Sequence, residues 1–174
     1  MKKELDERLV KDFPNLYVDR YGDMRRTAMC WGFPGDGWFD LIYKLSSKLE
    51  ALIVKHKKEH PEDEYPPRAV QVKEKFGGLR FYMNLGFYMN SETEEMLELI
   101  GEAEIKSKYT CETCGVEAKI VSYCGWRCCA CPDCLYDFFV EDMVREIEWT
   151  YKQIIEWSEK NGNEQSTGKE QKQS

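Results

Sequence analysis

Cys111-Glu112-Thr113-Cys114 … Cys131-Pro132-Asp133-Cys134 places two Cys-x-x-Cys pairs sixteen residues apart, and the second pair opens directly into a long helical pattern. Four thiolates at that spacing predict a tetrahedral zinc site, in which each pair forms a knuckle and the intervening loop brings the knuckles together. Such a site stabilises a segment too small to bury a core of its own, because metal-binding energy becomes folding energy. Four Cys ligands leave no open coordination position, so one structural Zn2+ per chain is expected. Cys30, Cys124, Cys128 and Cys129 are then spare or buried thiols. Spacing alone leaves open whether Cys124, Cys128 or Cys129 replaces a ligand.

Outward from this centre, the pattern downstream predicts a helix from about Pro132 to Lys160, with Pro132 in its first turn. Its stripe Tyr136, Val140, Val144, Ile147, Tyr151 and Ile154 has the period of a buried face. Trp149 and Trp157, eight residues apart, fall off that stripe and form a candidate partner-binding surface. Residues 161–174 are rich in Gly, Gln, Ser, Lys and Glu and read as a disordered tail.

Upstream, residues 1–15 read as a short charged helix ended by Pro14, and 16–18 and 27–31 as strands. The turn cluster Gly32–Gly37 precedes a helical period over Trp38, Leu41, Ile42, Leu45, Leu49, Leu52 and Ile53, with Asp36 as N-cap and Pro61 beyond its end. Residues 68–85 read as a hairpin turning at Gly77-Gly78. That turn pairs Phe76 with Leu79, Glu74 with Phe81 and Val72 with Met83 on an apolar face. Lys75 with Arg80 and Lys73 with Tyr82 then form a basic platform. Glu74 falls on the apolar face and calls for a partner such as Arg25 or Arg26. Met96, Leu97, Ile100 and Ala103 stripe a further helix. The expected fold is therefore α+β: a small antiparallel sheet packed with helices, plus a treble-clef-like four-cysteine zinc knuckle leading into a long C-terminal helix. The expected organisation is 1–108 for the α+β domain, 109–160 for knuckle and helix, and 161–174 for the tail.

At 174 residues the chain can bury a core, and 13% aromatic content reads as globular. No apolar run reaches membrane-spanning length, and the N-terminus lacks a signal-peptide hydrophobic region. A cytoplasmic location follows, where cysteines serve as metal ligands rather than disulfides. The formal net charge is −7, and residues 109–174 hold seven basic against twelve acidic residues. That balance argues against a general nucleic-acid binder and suits a basic protein partner.

Gln71-Val-Lys-Glu-Lys-Phe-Gly-Gly-Leu-Arg-Phe-Tyr82, preceded by Gly35-Asp-Gly-Trp38 and followed by Cys111-Glu-x-Cys114-Gly115, resembles an uncharacterised family of small bacterial, phage and mobile-element proteins. The resemblance covers roughly residues 30–134. Members carry a tryptophan five residues before the second pair, as Trp126 precedes Cys131 here. The resemblance implies Cys131 and Cys134, rather than Cys128 and Cys129, as ligands, and a mobile-element origin. It carries no activity over, and this chain departs from the family in its extra thiols and longer C-terminal helix.

Three functional classes result. The leading one is a non-catalytic binding protein, an inhibitor or adaptor encoded by a mobile element that engages a basic partner such as a nucleic-acid-guided defence effector. A homodimer through the C-terminal helix is also compatible with the Trp149 and Trp157 surface. The second class is a nucleotide or small-ligand binder using Lys73, Lys75, Arg80 and Tyr82. The third is a zinc hydrolase on His56-Lys57-Lys58-Glu59-His60, which matches the H-x-x-E-H pattern of inverted zinc peptidases. An exposed, cationic helix terminus is the simpler reading of that stretch.

Overall fold

α1 (Lys3–Asp12) stops just before Pro14, which cannot supply the next helical N–H. It buries Leu9 and Asp6, and Asp6 is held by the Arg20 guanidinium at 2.7 Å. The computed structural model describes residues 1–86, 91–123, 125–137, 152, 153, 155 and 156.

The strands expected at 16–18 and 27–31 are instead turns and a short 3-10 helix, Ala28–Trp31. Their backbone donors are taken locally or by side chains: Tyr17 N donates to Phe13 O, Thr27 N to Asp23 O and Met29 N to Thr27 Oγ1. The N–H groups of Asn15 and Leu16 donate to the Glu50 carboxylate at 3.2 and 2.8 Å, and Tyr17 Oη meets Ser46 Oγ at 2.5 Å. N–H groups satisfied this way are withheld from a ladder. The segment touches the sheet at one backbone hydrogen bond, from Ala69 N to Leu16 O at 2.9 Å.

Asp36 does not cap the next helix. It opens a 3-10 turn, Asp36–Trp38, and its carboxylate accepts the Lys2 N–H at 2.6 Å. α2 (Phe39–Glu59) follows, burying Ile42, Leu45, Leu49, Ile53 and His56 along one face.

β1 (Arg68–Lys75) and β2 (Gly78–Asn84) form the expected antiparallel hairpin, but its turn is Phe76-Gly77 rather than Gly77-Gly78. Glu74 therefore faces Leu79, Val72 faces Phe81, Lys73 faces Arg80, and Gln71 faces Tyr82. Moving the turn by one residue moves every partner by two, and an even shift keeps each side chain on its own face. Within the strands the two faces thus survive although no expected pair does, but Phe76, expected on the apolar face, becomes an exposed turn residue. An irregularity between Ala69 and Gln71 places Ala69 in the core, while Val70 is only half-buried. Glu74 finds its partner at home, accepting the Gly77 N–H at 2.6 Å, while Arg25 pairs with Asp23.

α3 (Ser91–Ser107) buries Met96, Ile100 and Ala103 and leaves Leu97 exposed. It packs on α2 and closes the free edge of β2. Leu79 N donates to Ser107 Oγ at 2.8 Å and Phe81 N to Glu104 Oε1 at 3.1 Å. Edge donors covered in this way cannot recruit another strand. Phe81 is 3% exposed. Phe81→Ala is expected to cost about 3–5 kcal/mol by urea denaturation. Lys75→Ala should stay within about 0.5 kcal/mol. A silent Phe81→Ala would contradict this packing.

A second antiparallel hairpin, which the sequence reading did not anticipate, joins β3 (Lys119–Tyr123) to β4 (Trp126–Ala130). The fold is α+β: α1, α2 and α3 accompany two two-stranded sheets, and further helical residues follow from Pro132. The chain falls into two compact units, Met1–Pro132 and Asp133–Ser174. Residues 109–132 belong with the first unit. In the second, residues 133–137, 152, 153, 155 and 156 are helical, while Trp149, Trp157 and most of the expected long helix lie outside the described residues.

Candidate metal centre

The first Cys pair sits in a tight backbone loop. Cys111 N donates to Val116 O at 2.8 Å, and Gly115 N returns to Cys111 O at 2.9 Å. Gly115 has φ +82°, a left-handed conformation that side chains rarely adopt, so the residue after the pair must be glycine-like. The second pair follows directly on β4.

Together these turns bring the sulfurs of Cys111, Cys114, Cys131 and Cys134 within 4.8 Å of one another, in an arrangement that could hold a metal ion. Cys114 Sγ and Cys131 Sγ are 3.6 Å apart. A tetrahedral metal with sulfur ligands at about 2.3 Å sets its sulfurs about 3.8 Å apart, so the donor set fits. Cys111 and Cys131 are buried, Cys134 is half-buried, and Cys114 is exposed.

The protein's dipoles favour a thiolate here. Burial alone would raise the Cys111 thiol, but the backbone N–H groups of Cys131, Cys114 and Thr113 outweigh it and bring the thiol down to about 6. On β4 nothing comparable offsets burial. It pushes Cys128 up and Cys129 up to about 11, so both remain neutral thiols. Metal binding requires the thiolate, and the contrast sets Cys111 apart from Cys128 and Cys129. Cys124 lies outside the described residues.

The knuckle has a seat that the sequence reading did not assign. Gly35-Asp36-Gly37-Trp38 runs against Cys111–Gly115. Gly37 N donates to Glu112 O at 2.8 Å, and Gly35 N to Glu112 Oε1 at 3.1 Å. Trp38, fully buried, donates its indole N–H to Thr110 O at 2.7 Å. Built on Gly37, a Cβ would run into Cys111 O and the backbone nitrogens of Cys114 and Gly115. The Gly-x-Gly-Trp spacing was the available signal, since paired glycines beside an aromatic mark a close backbone approach.

The remaining candidates separate. Lys73, Lys75, Arg80 and Tyr82 belong to the polar side of the first hairpin. Lys73 Nζ stands 5.4 Å from the Tyr82 ring centroid, and Arg80 reaches Leu79 O at 2.7 Å and Glu104 at 3.5 Å. The H-x-x-E-H stretch is not an exposed helix terminus throughout. His56 is 2% exposed and its Nε2 meets Asp63 Oδ2 at 2.9 Å, because α2 turns this position inward. That bond, aided by the Tyr65 N–H, holds the Asp63 carboxyl below its usual range. Glu59 is exposed, and the His56 and His60 rings lie 4.8 Å apart.

No protein-family model matches the chain, and neither does any curated protein or solved structure. No helix among the described residues is long and apolar enough to cross a membrane.

Proposed function

We propose that this chain is a non-catalytic, zinc-stabilised binding protein, an inhibitor or adaptor of mobile-element origin acting in the cytoplasm on a basic protein partner. The observation that carries the reading is the closed four-sulfur set seated on Gly35–Trp38. Bound there, zinc would supply a cross-link of fixed geometry, with no coordination position left for water or substrate. Cys111, Cys114, Cys131 and Cys134 would hold one ion per chain. The role of the site is then to position surfaces.

The partner's chemistry is read from charge. Glu141, Asp142, Glu146, Glu148, Glu156 and Glu159 accompany Trp149 and Trp157 in the acidic C-terminal sequence. Acidic residues steer a basic partner, while buried aromatics supply most of the affinity. A nucleic-acid-guided effector of host defence has the required basic surface. Pull-down from host lysate, with and without nuclease and at two salt concentrations, should recover a basic protein whose capture weakens with salt. Trp149→Ala/Trp157→Ala should lose it. A folded double variant that retains the partner at full strength ends this assignment.

A further inference from the structure

The geometry points to a second binding site: we propose that the tip of the first hairpin, Phe76 with Lys75 and Arg127, stacks one unpaired nucleotide, free or within a single strand. It does not depend on the partner proposed above.

The starting observation is a residue in the wrong place for folding. Phe76 has φ +58° and Gly77 φ +79°, the signs of a type I′ turn, whose first position is best filled by Asn, Asp or Gly. Among the described residues, Phe76 is the only non-glycine residue with positive φ. An aromatic side chain is strained there, and 63% exposure returns little burial in exchange. Strain that contributes nothing to packing points to what the ring displays.

The tip is also braced by local contacts. The Glu74 carboxylate locks the Gly77 N–H at 2.6 Å. From behind, the Gly77 backbone rests on Ile120 and Cys128 of the second hairpin, where an added Cβ would come within 3.0 Å of Ile120. Phe76, Lys75, Glu74, Gly125 and Arg127 line an open hollow of about 340 Å3. Lys75 Nζ stands 5.3 Å from the Phe76 ring centroid. An exposed ring on a braced turn, flanked by an ammonium and a guanidinium, matches a base with its phosphate. The net charge of −7 argues against a long backbone-tracking channel, so the occupant is a single nucleotide.

The test uses the zinc-loaded full chain, a fluorescein-labelled oligothymidylate of about ten nucleotides and thymidine monophosphate as competitor. Phe76→Asn is the decisive variant, because Asn-Gly suits the turn better than Phe-Gly. It should raise Tm by roughly 2–4 °C while weakening oligonucleotide binding roughly 10-fold or more. Arg127→Ala should flatten the salt dependence. Competition by the monophosphate identifies the free nucleotide as sufficient, and binding of the oligonucleotide alone assigns the site to a strand. The proposal is overturned if wild type binds neither probe, if Phe76→Asn binds at full strength, or if that variant lowers Tm. Equal binding of an acidic peptide would also overturn it, since that reads charge without stacking.

Discussion

Cys131→Ser is expected to release the metal and unfold the segment around it. Wild type should carry one zinc per chain, and the variant close to none. Structural zinc contributes on the order of 10 kcal/mol of apparent binding free energy to small sites, so losing one of four thiolates removes more than residues 109–134 can replace from their own core. Cys114→Ser should behave similarly although that cysteine is exposed, because its role is coordination rather than packing. Cys128→Ser is the control. Its thiol is pushed up by burial and stands outside the four-sulfur set, so that variant should keep its full complement of metal. Metal analysis, with a thermal melt in the presence and absence of chelator, measures both quantities. Serine variants that retain metal and melting temperature would remove the site from the account, along with the function proposed on it.

Gly37→Ala should be nearly as damaging, although it touches no ligand side chain. The added methyl would collide with Cys111 O and the backbone nitrogens of Cys114 and Gly115, the last at the turn that closes the knuckle. Flexible side chains can yield to an added methyl, but these are main-chain atoms held by their own hydrogen bonds. Relief requires lifting the knuckle from Trp38, at a cost of about 3 kcal/mol or more. Metal affinity should fall with it, since the sulfurs would lose their common frame. Gly101→Ala, in the middle of α3 with open space around it, should act in the opposite direction and stabilise the chain by up to about 1 kcal/mol. Urea denaturation and zinc competition of the two variants measure the contrast. A Gly37→Ala protein with wild-type stability and zinc affinity would show that the seat is dispensable.

The cysteine quartet, the face assignment of the first hairpin and the buried stripe of α2 were readable in the sequence because each depends on local periodicity. Two residues between cysteines bring two sulfurs together wherever the chain goes. Alternation along a strand decides which side a residue faces, and a slip of two preserves that side, so the wrong turn still put Phe81 in the core and Lys73 outside. Only the tertiary structure decided where backbone donors end, because that depends on groups distant in sequence. Glu50 takes the donors of Asn15 and Leu16, and Tyr17 N turns back to Phe13 O where a strand was expected. Glu74 takes the Gly77 N–H and fixes the turn at Phe76-Gly77. Asp63 meets His56 inside the fold, where a helix end alone suggested exposure. Glu112 and Thr110 receive the Gly35–Trp38 turn across more than seventy residues of chain, a contact no local period can announce.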